Sequence, residues 1–188
     1  MNDSHSVFSK TEEILDRLEL LDIYCVADQV QAELVILGAS GVLLFMELQK
    51  RTFRPTRDID VNVLSTTNSK QIYELLQKVK IDTVGGVMEL PPMEDFKKTE
   101  LFKLEGVDFE AIKIYVPSIE LLACSKIFST REKDLRDLKE TDILNLCSIE
   151  KLLDMVVEYK GYMINPNNPD VNVHQLEEIL KEKGILLH

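Results

Sequence analysis

At 188 residues, with 45% hydrophobic and 29% charged side chains, the chain has the length and composition of one globular domain, or of one domain with a helical appendage. Its 33 acidic against 22 basic residues give a net charge of −11, which argues against a broad, non-specific nucleic-acid footprint built on many Lys and Arg contacts. No apolar stretch approaches a membrane span, the N-terminus lacks the charged and apolar regions of a signal peptide, and Cys25, Cys124 and Cys147 are widely spaced without a C-x-x-C pair, which fits free thiols in a reducing cytoplasm. His5, His174 and His188 are scattered, which disfavours a zinc site or a His-centred nucleophile.

Ser9-Lys10-Thr11-Glu12 matches a capping box and predicts a helix with Ile14, Leu15, Leu18 and Leu21 at helical spacing. A second helical stretch is predicted through Val26 and Val30. Leu34–Leu37 reads as a buried strand, Gly38-Ala39-Ser40-Gly41 as a small-residue turn and Val42–Leu48 as a helix. A strand follows at Ile59–Val63. Thr66-Thr67-Asn68-Ser69 offers N-caps for a helix near Lys70–Lys80. Gly85-Gly86 and Pro91-Pro92 mark an irregular segment. Leu101–Leu104, a Glu105-Gly106 turn and Val107–Val116 resemble a hairpin. After Pro117 the pattern is helix and loop: one helix carrying Lys126, one over Lys133–Leu146, one from Ser148 to Gly161, and a last over Val173–Lys183 closed by Gly184.

Asp58-Ile59-Asp60-Val61-Asn62-Val63 is the most informative segment. Side chains alternate along a strand, so Ile59, Val61 and Val63 turn toward a core while Asp58, Asp60 and Asn62 share the other face. Two carboxylates about 6.5–7 Å apart repel each other. Mg²⁺, which takes hard oxygen ligands and is often held by one or two carboxylates plus phosphates, would neutralise them. A solvated strand face accounts for the same spacing. Upstream, strand, small-residue turn and helix form an arrangement in which backbone N–H groups meet an anion, and Ser40 adds a hydroxyl. An ordinary strand-to-helix turn has the same pattern, and neither a G-K-[ST] loop nor a G-x-G-x-x-G fingerprint is present. Lys50, Arg51, Arg54 and Arg57 lie between the two elements. They read as a solvated loop or as phosphate contacts beside a metal, a task suited to the planar fork of Arg.

Leu37-Gly38-Ala39-Ser40, the Arg-containing loop and Asp58-Ile59-Asp60 resemble the nucleotidyltransferase superfamily, whose pattern is a hydrophobic-Gly-Gly/Ser turn followed by Asp-x-Asp on the next strand. The Pro117-started helix with Lys126, and then Arg131-Glu132-Lys133-Asp134-Leu135-Arg136-Asp137, resemble the AbiEii-type toxin nucleotidyltransferases and their uncharacterised relatives. The likeness runs from about Glu33 to Leu146. Ala39 stands where the superfamily has Gly or Ser. The superfamily's third carboxylate, on a later strand, has no clear match; Asp108 and Glu110, on one face of the strand predicted to continue through Ile112, Ile114 and Val116, are the candidates, and a solvated hairpin end is the alternative.

The resemblance implies an α/β (α+β mixed) fold: a small mixed sheet flanked by helices over residues 1–116, then a helical region over 117–188 packed on it. It implies Mg²⁺- or Mn²⁺-dependent transfer of a nucleoside monophosphate from an NTP to a hydroxyl of RNA or protein, in a cytoplasmic toxin with an antitoxin partner and no membrane role. Asp58 and Asp60 would be catalytic metal ligands. Gly38, Ser40, Gly41, Arg54 and Arg57 would surround the phosphates, and Lys126 would reach the triphosphate. Asp134 would orient a cation or assist the attacking hydroxyl, with Arg131 and Asp137 beside it. From the residues alone, Lys126 beside Ile119, Leu122 and Ala123 equally snorkels outward, and Asp134 with Asp137 equally forms a solvated face. A catalytically silent module binding a nucleotide or a partner protein is the rival reading.

Overall fold

Hydrophobic periodicity sets the first element of the computed structural model, which describes residues 11–56, 58–84, 90–92, 94–95, 101–104 and 107–186. Helix α1 (Thr11–Ala27) buries Ile14, Leu18, Leu21 and Cys25 along one stripe. It runs unbroken through Val26, so the two helical stretches expected here are one; Val30 follows it in the loop. Ser9, Lys10, Arg57 and the Glu105-Gly106 turn lie outside the described residues.

The chain divides into two compact units, Met1–Gly85 with Glu100–Pro117, and Gly86–Thr99 with Ser118–His188. The first is built on a five-stranded mixed sheet of order β3-β2-β1-β5-β4. Strand β1 (Ala32–Leu37) pairs antiparallel with β2 (Asp60–Thr66) and parallel with β5 (Ile112–Pro117). Strand β3 (Asp82–Thr83) adds parallel to β2, and β4 (Leu101–Lys103) antiparallel to β5. Helix α2 (Gly38–Leu48) links β1 to the loop before β2, and α3 (Ser69–Lys78) links β2 to β3. Of the N-caps offered, Asn68 is used, its side chain accepting from the Gln71 N–H at 3.1 Å. As the central strand, β1 is covered on both faces, which explains why it reads as a continuous apolar run.

One buried carboxylate sets where β5 begins. Asp22, on α1, accepts the backbone N–H groups of Glu110, Ala111 and Ile112 at 2.9, 2.8 and 2.9 Å. Those groups face the carboxylate and not a neighbouring strand, so the expected Val107–Val116 strand contracts to Ile112–Pro117.

The second unit is helical: α4 (Ile119–Ile127), α5 (Glu132–Glu140), α6 (Ile143–Leu146), α7 (Ile149–Lys160), and a 3₁₀ turn (Asn172–Gln175) running into α8 (Leu176–Glu182). The single helix expected over Lys133–Leu146 breaks at Thr141. Its backbone is extended, its hydroxyl donates to the Asp137 carbonyl at 2.6 Å and it accepts the Ile143 N–H at 3.4 Å, so the side chain ends one helix and starts the next. Glu120 of α4 accepts the Ser148 N–H at 2.9 Å and lies 3.5 Å from Lys151, capping α7 from a distance. Among the described residues no helix is long and apolar enough to cross a membrane.

Each charge-assisted hydrogen bond contributes roughly 1.5–3 kcal/mol. Asp22→Ala is therefore expected to lower unfolding stability by at least about 3 kcal/mol in urea titrations. A loss below about 1 kcal/mol would contradict the anchoring role.

Candidate functional site

The site starts where β1 turns into α2. Gly38 has φ +59°, the left-handed region that glycine enters without strain. A Cβ there would lie 3.2 Å from Cγ of Asp60 and closer still to its Oδ2. Leu37, the last residue of β1, is the cross-strand partner of Asp60, the first of β2. Ser40 joins the two segments: its hydroxyl donates to the Leu37 carbonyl at 2.9 Å and accepts the Asp60 N–H at 3.2 Å. The residue is fully buried, which corrects the expectation that its hydroxyl faces phosphate. Gly41 is likewise buried in the first turn of α2. What the turn can offer an anion is backbone N–H groups of that first helical turn, which have no intrahelical acceptor and carry the positive end of the helix dipole.

From Asp58 to Val61 the alternation expected from sequence holds, but Val63, expected toward the core, is only half-buried. Ile59 and Val61 are fully buried, while Asp58 is exposed and Asp60 half-buried on the other face. Asn62, next on that face, is only 2% exposed. A third acid joins them from β3. Asp82 is the parallel partner of Asp60, and its N–H donates to the Ile59 carbonyl at 2.8 Å. Partners in adjacent strands lie about 4.8 Å apart with side chains on the same face. Asp60 and Asp82 therefore share one face beside the Gly38 turn, and Asp58 lies exposed two residues before Asp60, just ahead of β2. Sequence reading missed Asp82. Its signal is the short Ile81-Asp82-Thr83-Val84 alternation after α3, with Ile81 buried, but β3 is two residues long and the glycines behind it made the segment read as irregular.

Asp108 and Glu110, the earlier candidates for a third carboxylate, stand at the wrong end of the sheet. They precede Ile112, which pairs with Ala32 at the start of β1, whereas Asp60 pairs with Leu37 at its end, about 17 Å away by strand rise. They line a groove with Glu33, Lys103 and Lys113. Arg54 stacks over the Phe53 ring, its guanidinium carbon 5.3 Å from the centroid, and donates to the Pro55 carbonyl at 3.4 Å. Arg57 lies outside the described residues.

Among the described residues, no three Asp, Glu, His or Cys side chains converge to hold a metal by themselves. The acid placed against Gly38 is Asp60, with Asp82 as its cross-strand partner, and carboxylates of this kind suit a hard cation whose remaining ligands are water and phosphate oxygens.

A family model for DUF6036, described as a nucleotidyltransferase of unknown function, matches residues 10–183. The chain belongs to this family. No curated protein and no solved structure matches it.

In the helical unit of this DUF6036 protein the remaining sequence-predicted residues meet one another. Lys126 is 2% exposed, and its ammonium donates to Asp134 Oδ1 at 3.0 Å and Asp137 Oδ2 at 2.6 Å. The second oxygen of Asp134 accepts from Ser129 Oγ at 2.8 Å and from Arg131 Nε at 2.5 Å. Asn172 closes the cluster, donating through its amide to the Lys126 carbonyl at 2.9 Å and through its N–H to the Ser129 carbonyl at 3.0 Å. Burial pushes the Asp134 carboxyl up, but the Lys126 ammonium, the Ser129 hydroxyl and the Arg131 guanidinium outweigh it and hold the group below its ordinary 3.8. Lys126 thus neither snorkels nor presents a free ammonium. It is enclosed by two carboxylates, and Asp134 and Asp137 do not form a solvated face. The three thiols are unpaired, and burial above all pushes Cys25 up to about 11 and Cys124 up to about 12, so neither is a thiolate at neutral pH.

Gly38→Ala adds about 1–3 kcal/mol of backbone strain and displaces the Asp60 carboxylate; both a lower unfolding midpoint and weaker divalent-ion binding are expected, and unchanged ion binding would contradict the contact. Lys126→Met removes the ammonium shared by two buried carboxylates and is expected to cost about 3–5 kcal/mol, read by chemical denaturation. Because the folded-state value of Asp134 lies below its unfolded value, its contribution to stability is full above that unfolded value, near 3.8, and is lost as pH falls through the lower folded value. Acid titration of wild type should show this loss, and Asp134→Asn should not.

Proposed function

We propose that the protein is a divalent-metal-dependent nucleotidyltransferase that moves a nucleoside monophosphate from an NTP to an acceptor hydroxyl. The observation that carries the reading is Asp60 set against the Gly38 turn at the start of α2, with Asp82 as its partner on the neighbouring strand. Asp58 and Asp60 would hold Mg²⁺ or Mn²⁺, with Asp82 as the third carboxylate. When bound, the metal supplies Lewis-acid stabilisation of charge developing at the phosphates.

The chain's own residues do the rest by placement. Backbone N–H groups at the start of α2 would receive phosphate oxygens, and Arg54 and Arg57 would neutralise the outer phosphates. The acceptor oxygen attacks the α-phosphorus and forms the new P–O bond. The bond to the bridging oxygen breaks, pyrophosphate leaves with the electron pair, and the hydroxyl proton passes to a carboxylate of the row or to water. Lys126, Arg131, Asp134 and Asp137 would act as positioning residues, holding α4 and α5 to the Asn172 turn.

RNA or a protein is the acceptor class, and a toxin role with an antitoxin partner in the cytoplasm follows from the AbiEii-type resemblance of the 117–137 segment. A silent binding module is favoured by one observation, the lack of a preformed three-ligand metal site among the described residues.

Incubation with each labelled NTP, Mg²⁺, total RNA and cell lysate separates the two. Label is expected in RNA or protein, lost with chelator and reduced more than about 100-fold in Asp58→Asn/Asp60→Asn, as for loss of a metal-held transition state. Metal-dependent nucleotide binding without any transfer would establish the silent module.

A further inference from the structure

Asn62 has no place in the mechanism above, yet it is the buried member of the acid row. It lies two residues beyond Asp60 on the same face, 2% exposed and opposite Val35 of the central strand. Its amide nitrogen donates to the Val84 carbonyl at 3.3 Å. A carbonyl only accepts, so this contact fixes which end of the amide faces it. The other end, Oδ1, is buried and has no hydrogen-bond partner among the described residues. A buried acceptor left unmade is unfavourable, and an apolar side chain of the same shape would avoid it. The stability of the sheet alone therefore does not account for an asparagine here.

The Val84 contact does. Strand β3 comprises Asp82 and Thr83 only, and its backbone attachment to β2 includes the Asp82 N–H on the Ile59 carbonyl at 2.8 Å and the Val84 N–H on the Val61 carbonyl at 2.9 Å. So short an edge strand frays readily. The Asn62 amide adds a side-chain bond just past its end. Resting on the proposed metal-dependent reading of this site, we propose that Asn62 is a positioning residue: by tying Val84 to β2 it holds β3 in register and keeps the Asp82 carboxylate beside Asp60, where the cation binds.

The test uses the full chain and Mn²⁺ alone, with bound ion read from the loss of the free-Mn²⁺ electron paramagnetic resonance signal. Asn62→Leu removes both the donor and the orphan acceptor, so its unfolding midpoint should match or exceed that of wild type. Its Mn²⁺ affinity should fall about tenfold or more, the scale of lost outer-shell support. Asp82→Asn should show a similar fall, and the double variant should bind no more weakly than Asp82→Asn alone, because both changes remove one contribution. Amide exchange at Asp82 and Val84 should accelerate in Asn62→Leu while Val61 stays protected. Should Asn62→Leu overpack, Asn62→Ala carries the same expectations for ion affinity and exchange. Wild-type Mn²⁺ affinity in the asparagine variants, or additive losses in the double variant, would overturn the inference and leave the acid row intact. If Asp58→Asn/Asp60→Asn also bound Mn²⁺ like wild type, the metal would lie elsewhere and the underlying reading of the site would fall instead.

Discussion

Like charges brought onto one face of a sheet are the constraint from which the rest of the sheet unit follows. Asp58 and Asp60 are held at a strand's two-residue spacing by the burial of Ile59 and Val61, and Asp82 is set beside Asp60 by register. Like charges at such spacings repel one another. A fold that keeps this arrangement gains from a cation. The surrounding parts agree with that: Gly38 leaves the Asp60 carboxylate its space, and Ser40 locks the strand end to the helix start from below.

The helical unit handles charge in the opposite way. Lys126 stands between Asp134 and Asp137, and Arg131 covers the outer oxygen of Asp134. Two cations meet two carboxylates, so the cluster is internally neutral. Buried ion pairs of this kind contribute little net stability compared with an apolar core, but losing one partner is costly. That asymmetry makes the cluster a device for fixing one arrangement of α4, α5 and the Asn172 turn. In the sheet unit Asp58 and Asp82 are exposed and Asp60 is half-buried, whereas Asp134 and Asp137 are buried around Lys126.

Much of this was legible in the sequence because it is local. Strand alternation gave the facing of Asp58 and Asp60. Asn68 announced its helix, and it accepts the expected N–H. The glycine turn between an apolar strand and an apolar helix was visible as such, and the family match supports the superfamily its motifs suggested. What was not legible depends on pairing between distant segments. Asp82 gains meaning only from its register against Asp60, and Asp108 and Glu110 lose theirs only when β5 is seen to run parallel to β1. The Ser40 hydroxyl looked free for a ligand because its two partners, Leu37 and Asp60, are brought together by the antiparallel pairing of β1 and β2. Lys126 read as a snorkelling or phosphate-binding side chain because no spacing rule says that two aspartates eight and eleven residues on will fold back around it.

The central claim is that the acid row beside Gly38 binds the metal. Anomalous scattering from crystals grown with Mn²⁺ and a non-hydrolysable NTP tests it most directly. The account predicts a Mn²⁺ peak about 2.1 Å from carboxylate oxygens of Asp60 and at least one of Asp58 and Asp82, with phosphate oxygens completing its shell at the start of α2. A nucleotide seated elsewhere, or a Mn²⁺ peak held by other residues with the row empty, would contradict it.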